Sequence, residues 1–294
     1  MSRIEQALEK AVRMRKSMAV ADAGVVLTPT PTPHKPAQPV FEAGEVAVDL
    51  RRIDRHIVSL TEPHSPIAEE YKKLRVRLLR ATQNNFLNTI MVTSPGIGEG
   101  KSITALNLAI SIAKEIDHTV LLVDADLRRP SIHRYLGIKP SVGLGDYLMG
   151  KTALSDALVR TGIGKLVLLP AGTPPENPSE LLSSERMKET VRELKNQYKD
   201  RYVIFDSSPV LITADTLSLS NYMDGIIFVV QASETSPRDA QQALSLIKGC
   251  PVLGTVLNNV PPYLVKNHQR YSYYHEVKGK PEKSNGSGEE RSAL

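Results

Sequence analysis

The chain has 294 residues, 41% hydrophobic and 23% charged, a composition that suits one α/β domain with tails or at most two small domains. A net charge of +5 is too mild to argue for nucleic-acid binding, and one cysteine, Cys250, excludes an internal disulfide framework and fits a reducing compartment. No apolar run approaches the roughly 20 residues that cross a bilayer, and the charged opening lacks the apolar stretch of a secretory signal, so a membrane role is expected to go through a surface contact or a partner.

Residues 3–16 read as a short amphipathic helix with Ile4, Leu8 and Val12 on one face, a candidate docking or membrane-surface helix that needs a partner to be stable. Thr-Pro repeats over 28–33 and further prolines up to Pro39 read as a polyproline-like linker. A second amphipathic helix is predicted over about 65–82, with Ile67, Tyr71, Leu74 and Leu78 sharing a face. Apolar strands are then predicted at 89–93, 119–123, 166–169, 202–205, 225–230 and 252–257. Helices are predicted at about 101–116 and 179–198, and glycines 143, 145, 150, 162 and 164 punctuate a looser middle region of short helices. Short apolar strands alternating with helices predict an α/β fold whose mostly parallel sheet is flanked by helices on both faces. Beyond Pro261-Pro262 the apolar pattern stops, and residues 263–294 read as a polar, flexible tail that carries Tyr271, Tyr273 and Tyr274.

Three motifs carry chemistry. The first is Gly96-Ile97-Gly98-Glu99-Gly100-Lys101-Ser102-Ile103, between a predicted strand and a predicted helix. Small residues let backbone N–H groups turn inward around phosphate oxygens, and the helix N-terminus adds its positive end. Lys101 supplies a point charge for the phosphates, and the Ser102 hydroxyl suits Mg²⁺. The full pattern has glycine at position 95, where this chain has Pro95. The second is Val120-Leu121-Leu122-Val123 running into Asp124-Ala125-Asp126-Leu127-Arg128; on an extended strand residues two apart point the same way, so both carboxylates face one site. The third is Tyr202-Val203-Ile204-Phe205-Asp206-Ser207-Ser208-Pro209, an apolar strand ending in one carboxylate suited to hold Mg²⁺. One such aspartate alone is commonly a helix cap; three at strand ends beside a Gly-Lys-Ser loop point to a nucleotide site with its metal.

These residues resemble the bacterial tyrosine kinases of polysaccharide export, which use a P-loop NTPase fold. The resemblance covers about residues 60–262 and extends to the tyrosine tail. Gly98–Ser102 resembles the family's Walker A, Asp124, Asp126 and Arg128 its Walker A′, and Asp206 with Pro209 its Walker B. It implies an autokinase that uses ATP and Mg²⁺, with Lys101 on the phosphates and Ser102, Asp124 and Asp206 at the metal. Asp124 is then the candidate for activating the tyrosine hydroxyl, with Asp126 supporting metal-bound water, and Asn258 sits where related ATPases place an adenine-reading asparagine. Tyr271, Tyr273 and Tyr274 become the autophosphorylation sites, reached in trans within a homo-oligomer. The opening Ser2–Lys10 is similar to a subgroup found with exosortase-linked exopolysaccharide loci. The family's Glu-x-x-Arg-x-x-Arg assembly motif reads Glu69, Lys72 and Arg75 here, and a lysine does not reproduce a bidentate guanidinium contact. The implied organisation is an N-terminal helix and linker over 1–60, a kinase domain over 61–262 and a tail over 263–294. The implied setting is cytoplasmic, at the inner face of the plasma membrane, recruited by a separate membrane-embedded co-polymerase or activator. A ParA/MinD-like ATPase switch is the alternative; it needs a second lysine early in the loop, where this chain has Pro95.

Overall fold

The computed structural model describes residues 48–197 and 200–261; the predicted N-terminal helix, proline linker and tyrosine tail lie outside them. The described chain begins with a 3₁₀ turn at Leu50–Arg52, capped by the Asp49 side chain, and a one-turn helix, α1 (Val58–Thr61). Helix α2 (Pro66–Thr82) starts where the Ser65 side chain accepts from the Ala68 N–H and Pro66 takes the first position. It buries Ala68, Tyr71 and Leu78. Ile67, expected on that face, is instead 57% exposed, because the first turn presents Ala68 inward.

Strand β1 (Thr89–Thr93) leads through the glycine-rich loop into α3 (Lys101–Ala113), and β2 (Thr119–Asp124) follows. Helix α3 stops three residues short of the predicted end. The Ala113 carbonyl accepts from Lys165 N–H at 3.0 Å instead of continuing the helical ladder. The middle region holds α4 (Ile132–Tyr135), α5 (Leu144–Leu148) and α6 (Leu154–Ala157), then β3 (Val159–Arg160) and β4 (Leu166–Leu169). The helix predicted over 179–198 is two helices, α7 (Pro178–Ser183) and α8 (Glu185–Asn196). Ser184 takes an extended conformation between them and caps α8 by accepting from Met187 N–H at 3.2 Å, which breaks the run. Then come β5 (Arg201–Asp206), α9 (Asp215–Ser220), β6 (Gly225–Gln231), α10 (Pro237–Leu246) and β7 (Val252–Asn258).

The seven strands lie in the order β3-β4-β2-β5-β1-β6-β7. Every neighbouring pair is parallel except β3 with β4, a two-residue antiparallel addition at the edge. Ile90, Val92, Val120, Leu122, Tyr202, Ile204 and Val229 join α3 in one apolar cluster. The residues between them, Met91, Leu121, Val203, Phe205 and Phe228, are equally buried. Side chains alternate across a strand, so these point to the opposite face, where α8 packs on β5. Both faces of the central strands are covered, as the continuous apolar runs require. Among the described residues no helix is long and apolar enough to cross a membrane.

Candidate nucleotide and acceptor site

The register of the central strands sets the site. Asp206 lies opposite Val92 of β1 and opposite Asp124 of β2, so three parallel strands end at one level. In such sheets the crevice beyond the carboxyl ends receives the ligand. The glycine-rich loop leaves β1 there and feeds α3. Gly98 and Gly100 hold φ of +83° and +91°, a left-handed backbone that favours glycine and turns successive N–H groups to one side. Gly100 has a second reason to lack a side chain: a Cβ there would meet the Asn258 amide nitrogen at 1.9 Å. At Pro95, where the usual pattern has glycine, the carbonyl accepts from Leu211 N–H at 3.2 Å and ties the loop to the segment after β5.

Lys101 reaches back from the first turn of α3 toward the strand ends. Its Nζ donates to Asp126 Oδ2 at 3.0 Å and to Ser102 Oγ at 3.2 Å, and lies 3.8 Å from Asp206 Oδ1. Burial opposes its charge, but Asp206 and Asp126 outweigh that and hold the ammonium above the usual lysine range. Asp126 is held below the usual carboxylate range: burial pushes it up, and Lys101, the Ser208 hydroxyl and the Arg129 N–H pull it down further.

Asp124 and Asp206 are fully buried and behave in the opposite way. Asp124 Oδ2 accepts from the Ser131 and Ile132 N–H groups, each at 3.1 Å, while Oδ1 has no hydrogen-bond partner. Neither side-chain oxygen of Asp206 has one. Burial first, then the neighbouring Asp206 and Asp126, push the Asp124 carboxyl well above the usual range. Burial raises Asp206 to about 6 against the pull of Lys101. Three buried carboxylate oxygens without a hydrogen bond, with Lys101 at 3.8 Å from one of them as the nearest cation, are costly unless something supplies further positive charge. Among the described residues no three His, Cys, Asp or Glu side chains converge as a metal cage. That donor set, two carboxylates and the Ser102 hydroxyl, fits Mg²⁺, which takes few protein ligands and completes its shell with water and phosphate.

Beside this cluster opens a cleft of about 420 Å³, lined among others by Asp126, Ser208, Arg129, Ile97 and Ile212. Asp126 therefore faces open space, whereas Asp124 does not. Arg128 is clamped at the rim: Nε donates to Asp215 Oδ2 at 2.7 Å and Nη2 to Ser179 Oγ at 2.9 Å. Of the other predicted residues, Gly96, Gly98, Glu99 and Gly100 form the loop, and Ile103 sits half-buried in the first turn of α3. Asn258, at the end of β7, donates from its amide to the Glu99 carbonyl at 3.0 Å, so it does meet the loop. On α2, Lys72 donates to Glu69 at 2.9 Å, and Arg75 turns inward to the Ser111 carbonyl and Glu115. Those groups are engaged within the chain. Tyr271, Tyr273 and Tyr274 lie outside the described residues. Sequence reading passed over Ser208, Ser179, Asp215 and Thr235, whose partners are remote in the chain and whose residue types carry no motif of their own.

Residues 90–261 match the family model described as "CobQ/CobB/MinD/ParA nucleotide binding domain". The chain is 36% identical over 225 residues to tyrosine-protein kinase YwqD of Bacillus subtilis (strain 168), covering 76% of this chain and 92% of that protein. It is 30% identical over 217 residues to putative tyrosine-protein kinase CapB of Staphylococcus aureus, covering 73% of this chain and 93% of that one. Among solved structures, the kinase domain of the Escherichia coli tyrosine kinase ETK superposes with a TM-score of 0.66 at 26% identity, over 75% of this chain and 90% of that domain. A parallel sheet with a phosphate loop after its central strand is common to many nucleotide-binding proteins, but likeness at this identity over nearly the whole of two kinases narrows it: the chain belongs to the bacterial tyrosine-protein kinases, on the CobQ/CobB/MinD/ParA nucleotide-binding domain.

Proposed function

We propose that this chain is an ATP-dependent protein-tyrosine autokinase that regulates exopolysaccharide synthesis and export. The observation that carries the reading is the convergence of Lys101 with three buried carboxylates beside an open cleft that Asp126 lines. In this reading Gly96–Ile103 cradles the phosphates, Lys101 exchanges its carboxylate partners for them, and Asn258 lies at the base. Ser102, Asp206 and the free oxygen of Asp124 would hold Mg²⁺. When bound, that ion neutralises phosphate charge that the buried carboxylates cannot tolerate unaided.

The cleft suits a phenol ring. Ile97 and Ile212 offer apolar walls, and Asp126 lines the same cleft. The phenol oxygen forms a bond to the γ-phosphorus as the bond to ADP breaks, and a carboxylate must take the phenol proton, since an unperturbed tyrosine ionises only near pH ~10. Asp126 is the better placed of the two predicted aspartates, because Asp124 is fully buried with one oxygen held by two amides. Tail tyrosines 271, 273 and 274 of a second copy are the acceptors, and a separate membrane-embedded co-polymerase recruits the kinase to the inner face of the plasma membrane.

The test is phosphopeptide mapping of the purified full chain after incubation with Mg·ATP, with and without an activator fragment, and with Lys101→Met as control. Phosphate on Tyr271, Tyr273 or Tyr274 that disappears in the variant is the expected result. ATP hydrolysis without phosphotyrosine, activator included, would replace the kinase with a ParA/MinD-like switch.

A further inference from the structure

The phosphate loop contains one charge that nucleotide binding does not explain. Glu99 sits between two glycines and two residues before Lys101, where a free carboxylate would repel a nucleotide. It is not free. Its side chain is buried and folded back: Oε2 accepts from Gly96 N–H at 2.9 Å, and Oε1 accepts from the Thr235 hydroxyl. Thr235 is itself fixed, since its oxygen accepts from Gln231 N–H at 2.8 Å and its own N–H donates to the Gln231 carbonyl at 3.0 Å. The Glu99 carbonyl is held as well, by the Asn258 amide. Two segments from the strands beside β1, the turn after β6 and the end of β7, thus grip one loop residue at both its side chain and its backbone.

We propose that Glu99 and Thr235 are positioning residues that brace the phosphate loop for nucleotide. The pair holds the loop with Gly98 and Gly100 in the left-handed turns that aim its remaining N–H groups, so that binding need not order the loop, and it keeps the carboxylate away from the phosphates. The inference rests on Gly96–Ser102 being the phosphate loop. It needs no phosphotransfer for its test.

Mg·ADP is titrated into the full chain by calorimetry. Thr235→Val removes the hydroxyl at constant shape, and the dissociation constant is expected to rise about 10-fold. Thr235→Ser restores the hydroxyl and is expected to return it to within about twofold. In the Thr235→Val background, Glu99→Gln neutralises the released side chain and is expected to recover most of the loss, which independent structural damage would not do. Wild-type affinity in Thr235→Val, or a double variant that binds no better than Thr235→Val, overturns the brace. Lys101→Met is expected to lose nucleotide in the same titration; wild-type affinity there would remove the loop assignment, and the brace with it.

Discussion

Asp206 and Asp224 sit at opposite ends of the same sheet and differ in almost everything but residue type. Asp224, just before β6, accepts from Asn88 N–H at 3.0 Å and Thr89 N–H at 3.1 Å, and its other oxygen takes the Lys195 ammonium. Burial works against its charge, but the Lys195 and Thr89 hydrogen bonds prevail and hold it below the usual carboxylate range. Asp206, at the end of β5, has no hydrogen bond to either oxygen and is raised to about 6. A satisfied buried carboxylate fixes structure; an unsatisfied one is held ready for a partner that the folded chain does not itself supply. The amino end of the sheet joins strands, and the carboxyl end is left to bind.

The sharpest way to break this comparison is Lys101→Met. It is expected to lower autophosphorylation by at least about 100-fold, because a fixed charge at the transferring phosphoryl group is gone. Removing one side of a buried ion pair also leaves charge uncompensated, so nucleotide-free stability should fall by about 3 kcal/mol in urea titration. Asp224→Ala comes next. It strands two strand-end N–H groups and is expected to cost about 3 kcal/mol while leaving nucleotide affinity unchanged below the melting transition. The same residue gives a pH prediction. Its folded pKa is depressed, so its contribution is fully present above the unfolded value of 3.8 and is lost as pH falls through the folded value. Wild-type stability should therefore drop more steeply below about pH 4 than that of Asp224→Ala, read from melting curves across pH. The smallest effect concerns Cys250, whose thiol is pushed up to about 11 by burial and by Asp224 and which donates weakly to the Met223 carbonyl. At pH 8 it should react with a disulfide reagent more than about 100-fold slower than an exposed cysteine.

Much of the binding end was legible because its residues are local. The loop, Asp124-x-Asp126 and Asp206 each follow an apolar strand, and strand register then brings them together. Other features were not legible, for identifiable reasons. Ser184 lies inside a run with helical periodicity, and only its cap to Met187 breaks the helix. Strand β3 has two residues, too few for any alternation to show. In sequence Glu99 is one residue of the phosphate loop; its partner Thr235 is 136 positions away, and Arg128 meets Asp215 87 positions away. Strand alternation makes Asp124 and Asp126 equivalent, and the family resemblance gives the proton-accepting role to Asp124; burial and the Ser131 and Ile132 amides set the two apart in the structure.

The most direct measurement sets Asp206→Asn beside Asp224→Ala and reads two quantities from each: nucleotide-free melting temperature and phosphotyrosine formed with Mg·ATP. A crossed pattern is expected. Asp206→Asn should melt no lower than wild type, because relief of a fully buried carboxylate that makes no hydrogen bond offsets the loss of its long 3.8 Å pairing with Lys101, and should lose at least about 100-fold in phosphotyrosine. Asp224→Ala should melt lower and keep its phosphotyrosine at a temperature where it is folded. If Asp206→Asn instead melts as low as Asp224→Ala, or retains its phosphotyrosine, Asp206 is a structural carboxylate and does not serve the nucleotide site.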